Sequence, residues 1–265
     1  MMKFNLIISN PPYNRNLDLK ILKTVYELGE KICFIHPAGW AYSNKPNVSK
    51  LIKDVKKFNL ASFERVKDAS LLFDINIMSE ICISMFNKKC KNPIDINEID
   101  IHGNSKIYKS LKKKILKYKS NLEEFTVYGH KIKDPEIHIG IPGIFGRLDN
   151  KKYSYNIIRK TKINESLNNN DHIKFAFNSI TKAINFRNYL MLKVVRFAFS
   201  LYRINIHTDN GELASVPYMP TYEHEWTDEM VAKELGLTDE ELKWAINWIP
   251  DYYTEDAEKY KNYEV

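Results

Sequence analysis

The amino-acid sequence predicts an α/β fold with a mainly parallel sheet over residues 1–90. Three short apolar runs have the length of buried strands: Phe4–Ile8, Ile32–Ile35 and Ile81–Phe86. The segment Leu17–Leu28 carries its apolar residues at helical spacing, and Gly29 follows it as a stop signal. Strands that alternate with helices favour parallel pairing, because a helical crossover returns the chain to the same end of the sheet.

Two further elements are predicted between the second and third apolar runs. Val48–Phe58 places Leu51, Ile52 and Val55 on one face, which indicates a second helix. Ser62–Val66 has the length and composition of a short strand. The strand–helix alternation therefore extends across the first third of the chain.

The pattern changes after residue 90. Ser105–Ser120 predicts a helix in which lysines surround a few apolar side chains. Residues 125–184 predict irregular β structure, because short apolar runs alternate with glycine and proline. Asn185–Tyr202 predicts one long helix. Two more helix starts are predicted from N-cap residues at Thr227 and Thr238.

Charge is distributed unevenly along the 265 residues, although the net formal charge is only +7. Residues 209–265 contain 15 acidic and 4 basic side chains, whereas residues 1–208 contain 36 basic and 18 acidic ones. A basic body favours a polyanionic partner such as nucleic acid. A lysine-rich composition can also reflect an AT-rich genome, so charge alone does not decide the partner.

The three cysteines are too few and too scattered for a disulfide framework, and the sequence has no secretory signal. No run approaches the ~20 apolar residues that cross a bilayer. We therefore expect a cytoplasmic protein with reduced thiols that does not enter a membrane.

The tetrapeptide Asn10-Pro11-Pro12-Tyr13 follows the first apolar run directly. The amine of a purine is a poor nucleophile, since its lone pair is delocalised into the ring. The Asn10 side-chain oxygen and the Pro11 carbonyl can accept hydrogen bonds from such an amine. The prolines stiffen the turn, and the Tyr13 ring offers a face for a base that has left the duplex.

The same tetrapeptide is also ordinary turn chemistry, since Asn and Pro are frequent turn residues. Its position favours a site, because ligands of α/β sheets bind outside the carboxyl ends of strands. Both interpretations stay open from the residues alone.

The run Lys3–Tyr13 resembles the catalytic strand and loop of the N6-adenine DNA methyltransferases of type II restriction–modification systems, in their Asn-Pro-Pro-Tyr class. Phe34–Pro37 with Trp40 is similar to the next strand and loop of that family. Leu71–Ile77 followed by Ile81–Lys88 resembles its late motif. The C-terminal part also looks like the end of these enzymes, in the segments Asn185–Arg187, Val216–Pro217, Trp226–Glu229 and Leu237–Glu241.

This resemblance implies methyl transfer from S-adenosylmethionine to the N6 atom of adenine in DNA, with base flipping and without a metal. It implies that Asn10 and Pro11 orient the amine, with Asn10 also near the cofactor, and that Pro12 stiffens the loop. It further implies that Tyr13 stacks on the base and that Phe73 clamps it from the other side.

The fold that the resemblance implies is α/β: a partial Rossmann-like methyltransferase sheet, a mixed α+β target-recognition region and a helical C-terminal segment. We assign residues 1–90 to a catalytic half domain and residues 185–265 to the helical region. Residues 91–184 are assigned to target recognition by position, not by a motif.

One family feature is missing from the sequence. The glycine-rich cofactor loop normally follows a strand, and neither the nine residues before Asn10 nor residues 185–265 contain a strand followed by Gly-x-Gly. The chain is then half of a split enzyme, a fragment, or a degenerate methylase retained for binding. An unpaired sheet edge is a template for another chain, so we favour a protein partner that supplies the cofactor strands.

Four lysines of the predicted basic helix are candidates for contacts to the DNA backbone: Lys109, Lys112, Lys113 and Lys117. A solvated helix face is the alternative interpretation. His36 and His207 lack carboxylate or thiol neighbours at metal-ligand spacing, and His224 has only Glu225, so all three are interpreted as structural or surface residues. We expect no metal site.

The alternative function is a non-catalytic nucleic-acid-binding or regulatory subunit that kept the base-handling loop and lost its cofactor site. A third alternative is an RNA adenine methylase. Binding of S-adenosylmethionine distinguishes the first two functions, and competition between DNA and RNA tests the third.

Overall fold

The computed structural model describes twelve stretches of the chain: residues 4–42, 49–66, 73, 80–96, 99, 105–129, 133, 135–141, 157–158, 163–164, 173–202 and 213–251. The chain divides into two compact units, Met1–Asn104 and Ser105–Val265. Both units mix helices with a sheet, as the predicted α/β and α+β classes require. Within the described residues, no helix is long and apolar enough to span a membrane.

The first unit contains a four-stranded sheet and helices. Its strands are β1 (Phe4–Ser9), β2 (Gly29–Pro37), β3 (Leu60–Val66) and β4 (Ile81–Asn87). Its α-helices are α1 (Leu17–Leu28), α2 (Gly39–Tyr42) and α3 (Lys50–Val55). The strand order is β1-β2-β4-β3, so β1 lies at one edge.

The prediction of a mainly parallel sheet is wrong. Over the strands that the structure describes, only β1 and β2 run parallel, whereas β4 is antiparallel to both of its neighbours, β2 and β3. Alternation of strands and helices constrains the connections, but it does not show where a later strand inserts. Here β4 enters between β2 and β3, and it pairs with β3 in the antiparallel manner of a wide hairpin.

The core of the first unit lies on one face of this sheet. Leu19 and Leu22 of α1 and Val55 of α3 pack with Ile32 and Phe34 of β2. On β1, Ile7 points to the same core, because successive side chains of a strand alternate between faces. Phe4, Leu6 and Ile8 therefore share the opposite face, and their exposed fractions are 47%, 49% and 70%.

The second unit contains a three-stranded antiparallel sheet of order β5-β7-β6 and five α-helices in its described part. Its strands are β5 (Thr126–Tyr128), β6 (His138–Ile141) and β7 (Ile173–Ala176). Its helices are α4 (Lys106–Lys117), α5 (Ile180–Tyr189), α6 (Lys193–Ser200), α7 (Asp228–Glu234) and α8 (Asp239–Trp248). The predicted N-caps Thr227 and Thr238 are confirmed, and Thr238 forms a capping box with Glu241.

One apolar core runs through the second unit. It includes Leu111 of α4 and Phe175 of β7 together with Phe197 of α6 and Ala245 of α8. The segments that we assigned to target recognition and to the helical C-terminus therefore pack around the same core. The first unit extends past residue 90, where Ile94 forms a bridge to Leu60. The functional division at residues 90 and 184 stays a prediction.

The single long helix predicted over Asn185–Tyr202 is wrong, because a turn at residues 190–192 separates α5 from α6. Asp228 explains the break. Its carboxylate oxygens accept hydrogen bonds from the backbone N–H groups of Lys193 and Val194, at 3.3 and 2.8 Å. These donors begin a helix and have no intrahelical acceptor, so a carboxylate 34 residues away stabilises a new helix start.

Replacing Asp228 by Ala is expected to lower the free energy of unfolding by about 2 kcal/mol, since two backbone donors lose a charged acceptor. Asp228 is half-buried, and burial raises the pKa of its carboxyl group although the N–H groups of Val194 and Lys193 oppose this. The matched control is Asp239→Ala, at the equivalent first position of α8, where the side chain is exposed. Equal losses in urea unfolding would contradict this explanation of the break.

Candidate functional site

The loop Asn10–Tyr13 lies at the carboxyl end of β1. The register of the parallel pair ends with Ser9 opposite Phe34, and β2 continues through His36 to Pro37. The loop therefore starts beside the carboxyl end of a neighbouring parallel strand. This is the place where open α/β sheets bind ligands.

The four loop residues differ in burial. Pro11 is buried, Tyr13 is half-buried, and Asn10 and Pro12 are exposed. The Tyr13 hydroxyl donates a hydrogen bond of 2.7 Å to the Oδ1 atom of Asn10. The loop thus presents an amide and an aromatic ring that touch each other and remain reachable from solvent.

A short 3-10 turn, Asn14–Asn16, connects the loop to α1. Asn16 has φ 60° and ψ 26°, in the left-handed region. Asparagine tolerates this conformation better than residues with larger or branched side chains. The left-handed residue lets the chain turn directly from the loop into the helix, so the loop stays short.

A chain of buried polar side chains lies where α1, β2 and β4 meet. His36 Nδ1 is 3.3 Å from Asp18 Oδ2, and His36 Nε2 is 2.8 Å from Ser84 Oγ. The exposed fractions are 0% for His36 and Ser84 and 4% for Asp18. A carboxylate oxygen accepts hydrogen bonds, so we assign Nδ1 as the donor to Asp18; in the neutral form of the ring, Nε2 then accepts from the Ser84 hydroxyl.

The order carboxylate, imidazole, hydroxyl also occurs in serine hydrolases. Here the hydroxyl of Ser84 is fully buried, so a substrate carbonyl cannot reach it. We interpret the group as structural. It fixes the first turn of α1, and therefore the end of the loop, to the two central strands.

Tyr13 lies close enough to Asp18 for the carboxylate to affect the pKa of the Tyr13 hydroxyl. Burial raises the pKa of the Tyr13 hydroxyl, and the charge of Asp18 raises it further. Burial likewise raises the pKa of the Cys82 thiol. Tyr13 therefore stays protonated, which is the form that can donate to Asn10.

The structure brings together the predicted loop residues Asn10, Pro11, Pro12 and Tyr13. Phe73 is half-buried, but the residues on both sides of it lie outside the described residues, so its role as a clamp stays a prediction. The sequence interpretation missed Asp18. An acidic residue one helical turn before Leu22, on the buried face of α1, was the available signal.

The predicted basic helix is α4. The Ser105 hydroxyl caps it, and Tyr108, Leu111 and Ile115 face the core. Lys109, Lys113 and Lys117 are exposed and recur every four residues, which places them on one face.

Lys112 and Lys114 are directed differently. The ammonium of Lys112 lies 5.6 Å from the centre of the Tyr108 ring, a cation–π contact, and this lysine is only half-exposed. Lys114 binds Glu241 and the Gly236 carbonyl, at 2.7 and 2.8 Å, which joins α4 to α8. Three of the four predicted backbone-binding lysines thus share an exposed face.

The described residues fit only part of an S-adenosylmethionine site. Gly39 follows β2 as a single glycine at the first position of α2, and not within a Gly-x-Gly loop. Gly29 packs against the Ile7 side chain, where a Cβ atom would lie 2.9 Å from a carbon of that residue. Asn10 remains the candidate contact to the cofactor. Over the same residues, no group of three or more His, Cys, Asp or Glu side chains is arranged to hold a metal.

No protein-family model, no curated protein and no solved structure matches this chain.

Proposed function

We propose that this chain is the base-handling part of a DNA adenine-N6 methyltransferase that uses S-adenosylmethionine. The proposal depends mainly on one observation: the hydrogen-bonded pair of Asn10 and Tyr13 lies at the carboxyl end of a parallel strand. An amide acceptor beside an exposed part of an aromatic ring suits a flat base that carries an amine. The resemblance of Lys3–Tyr13 to the catalytic loop of these methylases supports the same chemistry.

In this proposal the chain holds and orients the adenine. The Asn10 side-chain oxygen and the Pro11 carbonyl accept the two N–H groups of the amine, which favours a nitrogen with a more localised lone pair. Tyr13 stacks on the ring and offsets part of the few kcal/mol that flipping the base out of the duplex requires. Positioning contributes most to such a displacement, and the chain needs no covalent intermediate.

The proposed enzyme includes a second polypeptide, which completes the cofactor site. Among the described strands, β1 is the edge of its sheet, and Phe4, Leu6 and Ile8 leave an apolar face exposed beside that edge. Parallel strands are normally covered on both faces. A partner that adds strands to β1 and covers these three side chains would supply the missing cofactor loop and satisfy the edge.

Calorimetry with S-adenosylmethionine tests whether the partner is needed to complete the cofactor site. The chain alone is expected to show no micromolar binding, and the complex with its partner is expected to bind. Micromolar binding by the isolated chain would contradict the need for a partner. No binding by the complex would favour the alternative function, a nucleic-acid-binding subunit that lost its cofactor site. The missing glycine-rich cofactor loop is also consistent with that alternative.

DNA is the proposed nucleic acid, held through the phosphate backbone by the exposed lysine face of α4. Lys109, Lys113 and Lys117 lie one helical turn apart, about 6 Å along the axis. Point charges at this spacing neutralise phosphates and give affinity without sequence selection. Lys112 contributes less in this arrangement, because it packs on Tyr108.

Replacing Lys113 and Lys117 together by Ala is expected to reduce the slope of log affinity against log salt by about 2, roughly one per lysine. The measurement is a titration of fluorescent duplex DNA at several salt concentrations, with competing RNA at fixed salt to test the third alternative. Lys243→Ala, on an exposed position of α8, is the matched control. An unchanged slope in the double variant would exclude this face as the DNA contact.

A further inference from the structure

We infer that the Tyr13 hydroxyl is a positioning group that fixes the orientation of the Asn10 carboxamide, in addition to the stacking role of the Tyr13 ring. This inference rests on the proposed function and concerns the same site. It assigns to the hydroxyl a task that a phenylalanine in the same place could not perform.

The carboxamide of Asn10 can adopt two orientations. Its side chain is exposed, and the carboxamide torsion of an asparagine is broad and roughly two-fold. The oxygen and nitrogen ends have nearly the same shape, so a free Asn10 presents an acceptor and a donor about equally. An approaching amine needs the acceptor, and the other orientation opposes two donors.

The Tyr13 hydroxyl removes this ambiguity. It donates to Asn10 Oδ1 at 2.7 Å, a normal length for a hydrogen bond between two oxygens. The raised pKa of Tyr13 keeps its proton in place. An amide oxygen has two lone pairs, so one holds the hydroxyl and the second remains for the amine of the base.

The position of the donor is itself fixed. The Tyr13 ring is half-buried, and its backbone is in the right-handed helical region at the start of the Asn14–Asn16 turn. Two prolines separate Asn10 from Tyr13 in the chain, and the first of them, Pro11, is buried. The hydroxyl and the amide therefore belong to one stiff loop, and the contact requires little further ordering.

If the inference is right, loss of the Tyr13 hydroxyl weakens recognition of the amine but leaves stacking on the ring. Tyr13→Phe keeps the ring and loses the hydroxyl. We expect the wild-type chain to bind adenosine several-fold more tightly than purine riboside, which lacks the amine. In Tyr13→Phe this preference should fall to less than twofold, because the loss of affinity falls on adenosine.

Nuclear magnetic resonance tests both parts on the full chain. The side-chain NH2 signals of Asn10, assigned by comparison with Asn10→Ala, report its orientation in the free protein. Each nucleoside is then titrated to obtain its Kd. Tyr128→Phe, which removes another half-exposed tyrosine hydroxyl, controls for the substitution itself.

The outcomes separate the two proposals. If Tyr13→Phe leaves the Asn10 NH2 signals at their wild-type positions, the hydroxyl does not orient the amide, and the inference is overturned. If those signals move but the wild-type chain does not prefer adenosine over purine riboside, recognition of the amine and with it the proposed function is overturned. Moved signals with a lost preference support both.

Discussion

Replacing Asn10 by Ala is expected to lower the rate of adenine methylation at least ~100-fold, because it removes an acceptor that the loop holds ready for the amine. The fold should hardly change. Asn10 is exposed, so its loss should alter the free energy of unfolding by no more than about 0.5 kcal/mol. A large loss of rate with little loss of stability is typical of a residue that acts on the substrate.

The measurement is mass spectrometry of N6-methyladenine in the DNA of a bacterial host without adenine methylation, which expresses the chain with the partner that completes it. Asn14→Ala is the control, since Asn14 is also exposed and lies four residues further along the chain, in the turn after the loop. Wild-type methylation in Asn10→Ala would remove this loop from the reaction. A methylated base other than adenine would contradict the proposed substrate.

Local patterns in the sequence were enough to predict several elements. Helix α1 has the predicted bounds, Leu17–Leu28, because its amphipathic spacing and the following Gly29 are read within one segment. The N-caps at Thr227 and Thr238 also depend on residues within one turn. The loop Asn10–Tyr13 was found in the same way, from four consecutive residues after an apolar run.

Interactions between distant residues were not predictable in this way. The break between α5 and α6 depends on Asp228, which lies beyond both helices in the sequence. The antiparallel position of β4 depends on its pairing with β2, a strand that lies far from it in the sequence. The partner of His36 is Asp18, on a different element, and a single sequence does not show that the two meet.

The hydrogen bond between Tyr13 and Asn10 lies between these cases. The two residues are three apart, so the contact is local, yet it requires the loop to turn back at Pro11 and Pro12. A turn was the alternative interpretation of this tetrapeptide. The structure shows the turn, and this turn brings the Asn10 amide and the Tyr13 hydroxyl together, whereas a role of the loop in binding a base stays a prediction.

Replacing Asp18 by Ala is expected to destabilise the first unit by about 3 kcal/mol, since it leaves the fully buried His36 without its carboxylate acceptor. Asp18→Asn should lose less, because an amide oxygen still accepts from Nδ1. Glu27→Ala, an exposed acidic residue of the same helix, is the control and should change stability little.

Urea unfolding can be followed by fluorine resonance of 5-fluorotryptophan. Trp40 is the only tryptophan in the first unit, and its ring centre lies 5.5 Å from that of His36, so its signal reports on this region. If Asp18→Ala unfolds at the same urea concentration as Glu27→Ala, the hydrogen-bonded side chains of Asp18, His36 and Ser84 contribute little to stability.

The consequence of Asp18→Ala for the site follows from the two anchors of the loop. One anchor is the β1–β2 pairing, which ends at Ser9, and the other is the bond between Asp18 and His36 in the first turn of α1. Without the second anchor the loop keeps its sequence but loses its fixed end. We therefore expect the Asn10 NH2 signals to broaden in Asp18→Ala, although every residue of the loop is unchanged. Sharp, unshifted signals would show that the loop is held by its own prolines alone.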